Sequence, residues 1–375
     1  MNGPYVWEPP VYWYADTQNG GAFGFCAEQG GETVPPEESL RKWLPAADLW
    51  PIDATWYYHV GLGVFRNLIS YSPAISKRYG AAADLSDYTA KAQLLNYESV
   101  RAQFEAYGAN AYTLAQGTIY WMLNSAWPSL HWNLYDYYFK PGGSYFGAKK
   151  ALEPVHILWD YNTNDVKIFN STLTDASNLT ASVGVYNIPD LALKYSYQAT
   201  MDFPANTSTL AFNIPPISGL TTTYFLRLQL KEPSGAAISN NVYWYSSSPD
   251  VLGSFNWYRT FVTSYADLSG LNSLPINTSV DASTVRNRSK GTETVTITLN
   301  NRDSAHVAFF ARTELTAGDG GLEVLPINYT DNYATLWPGE AMTIVAVYAT
   351  SDLGGQPVHL RIRGYNVPEF SIPVP

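Results

Sequence analysis

One carboxylate lies where a strand end would place a catalytic group. Glu28 directly follows the apolar run Phe23–Ala27, which predicts a short strand, and Gly30-Gly31 comes next. In α/β barrels the carboxyl ends of the strands carry the catalytic side chains. Glu32 lies in the same loop and remains an alternative. An acidic residue at the end of a strand is often only exposed to solvent, so a catalytic role of Glu28 needs support from a second feature.

Aromatic side chains are that second feature, because they crowd residues 5–14 and 121–138. Sugar rings have apolar faces that stack on aromatic rings, while acids and amides bind the sugar hydroxyls. Any single ring can instead fill a core, and that alternative stays open. A carboxylate and aromatic clusters in a chain with only 14% charged residues indicate a carbohydrate ligand. The rings are Tyr5, Trp7, Tyr12, Trp13, Tyr14, Trp121, Trp127, Trp132, Tyr135, Tyr137 and Tyr138.

Other chemistries lack the residues that they need. The single cysteine, Cys26, predicts a small buried thiol, with a Cys–His nucleophile as the alternative. No glycine-rich loop precedes a helix to bind phosphate. The histidines do not have the spacing of a metal site, so we expect neither a metal nor a cofactor. They are His59, His131, His156, His306 and His359.

The composition excludes two classes of partner. The chain has 375 residues, 46% of them hydrophobic, which is enough for two or three domains with cores. Its 22 basic and 32 acidic residues give a net charge of −10 without a basic run, so no nucleic-acid partner is expected. No stretch approaches the roughly 18 apolar residues of a membrane span, so we expect no membrane association.

Two features bear on localisation. Residues 1–4 lack the basic and apolar regions of a signal peptide, so none is expected in this chain. Asn-x-Ser/Thr sequons nevertheless occur six times after residue 169, which is typical of a glycosylated, secreted protein. Chance sequons in a Thr-rich segment are the alternative. The sequons begin at Asn170, Asn178, Asn206, Asn277, Asn287 and Asn328.

Residues 1–153 combine helix signals with two continuous apolar runs. The runs Ala22–Ala27 and Gly117–Leu123 predict strands, and their continuity is typical of strands that are buried on both faces of a parallel sheet. Strand, helices, strand and helix in this order indicate an α/β organisation. Helices are expected over 35–44, over 63–77 with a break at Ser72-Pro73, and over 86–107 with Ser86 as the cap.

Residues 154–375 show short alternating segments that turn residues separate, and helical periodicity is nearly absent. This pattern predicts two β-sandwiches of roughly 100 residues each, with a boundary between residues 246 and 257. The strands are expected at Val166–Phe169, Leu179–Tyr186, Tyr224–Leu230, Val242–Tyr245, Thr294–Leu299, His306–Arg312, Met342–Ala349 and Val358–Arg363.

Several longer motifs resemble the exo-β-D-glucosaminidases of glycoside hydrolase family 2, and together they cover essentially the whole chain. They are Gly3-Pro4-Tyr5, Tyr12-Trp13, Gly20–Phe25 with Glu28, Pro35–Lys42, Arg101–Tyr107, Trp121–Ser129, Leu134–Gly147, Glu153–His156, Asn241–Trp244, Asp331-Asn332-Tyr333 and Pro338-Gly339-Glu340. One departure lies at the centre of the pattern. The family usually has Thr-Glu-Thr or Ser-Glu-Thr where this chain has Ala27-Glu28-Gln29.

The resemblance implies a multidomain fold: the C-terminal fragment of a TIM (β/α)₈ barrel over residues 1–153, then immunoglobulin-like β-sandwiches over 154–255 and 256–375. It also implies that the chain is truncated at its N-terminus. The family's general acid/base then lies upstream of residue 1. We therefore expect the chain alone to be inactive and to associate with the missing N-terminal part of the barrel.

The activity that the resemblance implies is retaining hydrolysis, which releases non-reducing terminal β-linked D-glucosamine from chitosan or chitooligosaccharides. Glu28 takes the position of the nucleophile. Trp121 would lie under the sugar, and Asp136 would suit the ammonium group of the substrate. The residues expected to bind substrate are Trp121, Asn124, Trp127, Asp136 and Tyr137.

Two other functions stay open at this point. One is a family 2 β-mannosidase-type exo-glycosidase, which shares the barrel and the sandwiches. The other is a non-catalytic carbohydrate-binding protein that consists of the sandwiches. For the parent enzyme, the resemblance and the sequons imply secretion.

Overall fold

The computed structural model describes residues 3–61, 68–254 and 259–375. The chain divides into two compact units. The first consists of Met1–Leu134, Gly142–Ile188 and Ala192–Asn272, and the second of Tyr135–Pro141, Pro189–Leu191 and Ser273–Pro375. The domain boundaries that the sequence predicted after residues 153 and 255 stay a prediction. Within the described ranges, no helix combines the length and apolarity that crossing a membrane requires.

The N-terminal part of the first unit is an α/β arrangement around two parallel strands. Strand β1 pairs with β2, from Gly24 opposite Ala115 to Gln29 opposite Tyr120, so both strands end at the same edge. The elements are α1 (Pro10–Ala15), β1 (Gly24–Gln29), α2 (Glu37–Trp43), α3 (Ala54–Val60), α4 (Leu68–Tyr79), α5 (Leu85–Ala109), β2 (Ala115–Tyr120) and α6 (Gly143–Ala151).

The predicted helices are present with two local differences. The Asp84 side chain, rather than that of Ser86, caps α5, because it accepts a hydrogen bond from the backbone N–H of Asp87. Helix α4 continues through Pro73, where a break was expected. Its flanking side chains Tyr71 and Ile75 are fully buried, and this packing offsets the local cost of the proline. Residues 63–67 of the predicted helix lie outside the described residues.

The expectation that the two parallel strands are buried on both faces is wrong for this chain. Phe25 is 56% exposed and Ile119 is 54% exposed. Among the described residues, β1 and β2 form a sheet of two strands only, so no further strand extends the sheet on either side. The continuous apolar pattern therefore marks a face that this chain leaves open to solvent.

Residues 155–246 form two antiparallel sheets with the orders β3-β4-β7 and β6-β5-β8-β9. Their inward side chains, among them Val183, Val185, Leu226 and Leu228, share one buried cluster. The strands are β3 (Val155–Trp159), β4 (Asp165–Asn170), β5 (Ala176–Asn187), β6 (Leu193–Phe203), β7 (Thr207–Asn213), β8 (Thr223–Lys231) and β9 (Ala237–Ser246), followed by β10 (Val251–Leu252) and β11 (Val262–Ser264).

A buried polar network joins this sandwich to helix α5 within the first unit. The two carboxylate oxygens of Glu105 accept hydrogen bonds from Asn241 at 2.6 Å and from the Tyr243 hydroxyl at 3.0 Å. His156 Nε2 lies 2.9 Å from Glu105. Arg101 donates to the Asn241 side chain at 2.8 Å. Buried polar groups need such partners, so the helix and the sandwich depend on each other.

The second unit contains two further antiparallel sheets, in the order β12-β13-β18-β16 and in the order β15-β14-β19-β20 with β17 beside β14. Within residues 259–375 the only helices are two short 3-10 segments, as expected for a β-sandwich. The strands are β12 (Val280–Ser289), β13 (Thr292–Asn301), β14 (Ala308–Ala317), β15 (Leu322–Glu323), β16 (Ile327–Tyr329), β17 (Ala334–Leu336), β18 (Ala341–Ala349), β19 (Val358–Arg363) and β20 (Phe370–Pro373).

Candidate active site

Glu28 is the penultimate residue of β1, and its side chain is half-buried. The Tyr5 hydroxyl donates a hydrogen bond to Glu28 Oε1 at 2.9 Å. Trp132 holds Tyr5 in place, since its indole N–H donates to the Tyr5 carbonyl at 2.7 Å and the two rings pack edge to face. Burial and the hydrogen bond to Glu28 raise the pKa of Tyr5 to about 12, so Tyr5 is a neutral donor to this carboxylate.

Trp121 follows β2 directly and lies at the same sheet edge as Glu28. Its backbone N–H donates to the Gln29 carbonyl at 2.8 Å, and its side chain is 42% exposed. Gly30 makes this approach feasible, because a Cβ at that position would lie 1.8 Å from the Trp121 carbonyl oxygen. Parallel pairing thus places an exposed indole and a carboxylate at neighbouring strand ends, as the sequence predicted.

Glu32 has a different environment from Glu28. Its side chain is buried and accepts hydrogen bonds from the Trp7 backbone N–H at 3.0 Å and the Ser70 hydroxyl at 3.3 Å. Burial raises the pKa of Glu32 to about 8, in spite of these donors. A buried, protonated acid that bonds to its own fold cannot reach a ligand without rearrangement. The geometry therefore favours Glu28 over Glu32 as the group that meets substrate.

Asn124 and Trp127 lie on the loop after Trp121, in the same unit. Asn124 is half-buried, and its amide has no hydrogen bond within the described residues. Trp127 is partly exposed and stacks on the His59 ring at a centroid distance of 5.1 Å. His59 Nδ1 lies 2.8 Å from the Pro128 carbonyl, which ties this loop to α3.

Asp136 and Tyr137 belong to the second compact unit. Asp136 is buried, and its Oδ1 accepts hydrogen bonds from the backbone N–H groups of Tyr138 at 2.8 Å and Lys140 at 3.0 Å. The Lys140 ammonium lies 2.6 Å from Glu314 on β14, so the segment Tyr135–Pro141 is anchored to that sandwich. Asp136 therefore shapes its own turn, whereas the Tyr137 ring is exposed.

Sequence reasoning grouped Tyr5 and Trp132 with many other aromatic residues and did not assign them to Glu28. The contact joins residues 23 positions apart, and no local spacing indicates it. The motif Gly3-Pro4-Tyr5 was the available signal. A carboxylate, a hydroxyl donor and an open indole face at one sheet edge are groups that can bind a sugar ring and attack its anomeric carbon.

Several known glycosidases are similar to this chain in sequence. Residues 257–367 match the family model described as the exo-beta-D-glucosaminidase Ig-fold domain. The whole chain is 42% identical over 390 aligned residues to the exo-beta-D-glucosaminidase of Streptomyces avermitilis, and it covers 42% of that protein. It is 24% identical to the mannosylglycoprotein endo-beta-mannosidase of Lilium longiflorum, with 98% of the chain and 44% of that protein aligned.

The solved structures include the exo-chitosanase CsxA of Amycolatopsis orientalis, which is 40% identical to this chain with a TM-score of 0.94. All of this chain and 46% of the CsxA chain are aligned. A variant of CsxA has also been solved in complex with PNP-beta-D-glucosamine. Over its full length the chain is thus homologous to part of the exo-β-D-glucosaminidases, and it spans about two fifths of the curated relatives that it matches.

Proposed function

We propose that this chain, as a homologue of exo-β-D-glucosaminidases, is the part of a retaining glycosidase that contains the catalytic nucleophile. The whole enzyme would release terminal β-linked D-glucosamine from chitosan or its oligomers. The observation that carries the proposal is the position of Glu28 and Trp121 at the ends of two paired parallel strands. Catalytic groups of α/β barrels lie at strand ends of this kind.

In this proposal, β1 and β2 are adjacent strands of a (β/α)₈ barrel. The support is the exposed apolar face at Phe25 and Ile119, which suits further strands and helices of such a barrel. The remainder of the barrel is then a part of the relatives' length that this chain does not span. Association with that part covers the open face and completes the site.

The Glu28 carboxylate would attack the anomeric carbon while a second carboxyl group protonates the leaving oxygen. A retaining mechanism needs the two groups about 5–5.5 Å apart, and it proceeds through a glycosyl-enzyme that water hydrolyses. The resemblance places the second group outside this chain. The hydrogen bond from the Tyr5 hydroxyl would help to orient the Glu28 carboxylate for this attack.

The residues proposed to bind the sugar are those that the resemblance implies: Trp121 under the ring, and also Asn124, Trp127, Asp136 and Tyr137. Their exposed rings and the open amide of Asn124 support this assignment. An acidic group suits the ammonium of glucosamine, and the charge of −10 favours a polycationic substrate. We also propose that the parent enzyme is secreted.

The test is an assay on p-nitrophenyl β-D-glucosaminide and β-D-mannoside, with the purified chain alone and mixed with the N-terminal part of the Streptomyces avermitilis relative. We expect no turnover by the chain alone and glucosaminide turnover by the mixture. Glu28→Gln should abolish this turnover, and Glu32→Gln, the matched control, should retain it. Turnover that survives Glu28→Gln contradicts the mechanism. Preference for the mannoside supports a β-mannosidase, and binding of chitosan without any hydrolysis supports a non-catalytic role.

A further inference from the structure

The six sequons fall into two groups, and the first group consists of buried asparagines. The Asn170 side-chain N–H₂ donates to the carbonyls of Thr174 at 2.9 Å and Phe203 at 3.1 Å. The Asn277 side-chain N–H₂ donates to Asn301 Oδ1 at 2.9 Å and, less closely, to a backbone carbonyl at 3.3 Å. Both asparagines are fully buried. Each amide nitrogen therefore uses both of its N–H groups inside the fold.

The second group comprises Asn178, Asn206, Asn287 and Asn328, which are all exposed. None of their side-chain amides makes a hydrogen bond within the described residues. Asn178 and Asn206 have φ values of +54° and +52°, in the left-handed region that irregular surface backbone adopts. Asn178 lies at a register shift of β5, and Asn206 lies in the turn between β6 and β7.

The other two exposed sequons occupy the two outer strands of one sheet. In the order β12-β13-β18-β16, Asn287 lies on β12 and Asn328 lies on β16. Each asparagine pairs inward, Asn287 with Thr294 and Asn328 with Val347. No other strand of the described residues pairs with the opposite side of β12 or β16, so both sides are open edges. Open edges with unpaired N–H and C=O groups promote pairing between molecules, and proteins usually protect them.

We propose that Asn178, Asn206, Asn287 and Asn328 are acceptors of N-linked oligosaccharides, that Asn170 and Asn277 are not, and that the glycans on β12 and β16 shield the two sheet edges. In the transfer step, the asparagine Nδ2 bonds to the anomeric carbon of a lipid-diphosphate-linked oligosaccharide. The bond from that carbon to the diphosphate breaks, the diphosphate leaves with the electron pair, and Nδ2 loses one proton.

The buried pair cannot carry a glycan in this fold. Attachment at Nδ2 removes one of the two N–H donors, so one interior carbonyl or side-chain acceptor loses its partner. The oligosaccharide would also have to occupy volume that is filled by packed strands. At the four exposed positions a glycan displaces only water. The division therefore follows from burial and hydrogen bonding, since all six positions satisfy the same sequence rule.

The experiment directs the full chain into the secretory pathway of a eukaryotic host and maps occupancy by mass spectrometry after enzymatic deglycosylation in ¹⁸O-water. In the soluble, protease-resistant fraction, we expect label at the four exposed asparagines and none at Asn170 or Asn277. Label at either buried position, or no label at the exposed four, overturns the assignment.

Two variant pairs test the shielding of the edges. Asn287→Gln with Asn328→Gln should cause concentration-dependent self-association in sedimentation velocity, because both edges lose their glycans. Thr180→Val with Ser208→Ala is the matched control, since these substitutions remove the sequons of Asn178 and Asn206, and thus the same number of glycans, away from these edges. Equal behaviour of the two pairs refutes shielding.

A measurement without glycans tests the division itself. In bacterially produced chain, Asn170→Ala should lower the midpoint of thermal unfolding, because the carbonyls of Thr174 and Phe203 lose their donor. Asn287→Ala, at an exposed strand position, should leave the midpoint nearly unchanged. Equal midpoints would show that the buried amide is not needed inside the fold, and they would remove the reason for excluding Asn170.

Discussion

Arg78, at the end of α4, is the residue whose loss should destabilise the first unit most clearly. Its side chain is 1% exposed, and its guanidinium contacts two acids, Glu98 on α5 at 2.5 Å and Asp250. Burial, together with the nearby charge of Asp250, raises the pKa of Glu98 above its ordinary value, although Arg78 lowers it. Arg78→Met keeps the length and apolar stem of the side chain but leaves two buried carboxylates without their shared cation.

The expected cost follows from the partners that remain. Removal of one partner of a buried ion pair costs about 3–5 kcal/mol, because the other charge stays buried. Here the Tyr79 hydroxyl still donates to Glu98 at 3.1 Å, and the Ala266 N–H still donates to Asp250 at 2.9 Å. The two losses therefore do not add in full, and we expect a total decrease in the free energy of unfolding of about 3–5 kcal/mol.

Urea unfolding followed by tryptophan fluorescence measures this change. Arg41→Met is the matched control, since Arg41 is 54% exposed and pairs with Glu37 one helical turn away, and it should cost no more than about 0.5 kcal/mol. Adding Glu98→Gln to Arg78→Met should recover part of the stability, because one buried charge is removed. The reasoning is refuted if Arg78→Met unfolds like the control, or if the double variant is less stable than Arg78→Met alone.

Three further predictions concern the site and its pH dependence. Tyr5→Phe removes a hydrogen bond to a charged acceptor, worth about 1.5–3 kcal/mol, so kcat/KM of the complemented enzyme should fall about 10- to 150-fold; an unchanged value contradicts the role of Tyr5. Burial opposes the charged form of His156, but hydrogen bonds to the carboxylates of Glu105 and Glu153 outweigh this effect and raise the pKa of His156. The free energy of unfolding should therefore fall as the pH rises above about 6.5 and through the raised pKa. His156→Gln should remove this slope in urea titrations. Burial raises the pKa of Glu32 to about 8, so the folded state keeps a proton that the unfolded state releases. The free energy of unfolding should therefore fall between about pH 4.5 and 8. Glu32→Gln should flatten this part of the pH profile.

Local patterns were sufficient for the regular elements. The alternation in Val358–Arg363 predicted a strand with those bounds, and the periodicity of 86–107 predicted α5 to within two residues at either end. The run before Glu28 likewise placed a carboxylate at the end of a strand. These features depend on neighbours in the chain, whose sequence separation is short, so a single sequence contains the necessary signal.

Only part of the candidate site could be obtained in this way. The pairing of β1 with β2, which brings Trp121 to the edge that holds Glu28, agreed with the expectation of a parallel sheet. The Tyr5 contact to Glu28 and the burial of Asp136 in its own turn were not expected. Both depend on side-chain directions and on contacts that hydrophobic periodicity does not encode.

The sequons show most clearly where the sequence alone stops. It determined six chemically equivalent Asn-x-Ser/Thr positions and the β-rich character of the segment around them. Only the tertiary structure shows that the side-chain amides of Asn170 and Asn277 form hydrogen bonds inside the fold. It also shows that Asn287 and Asn328 lie on the two outer strands of one sheet. The physical reason is that burial and strand order arise from pairing between distant segments, and each pairing depends on where all the others place their backbone hydrogen bonds.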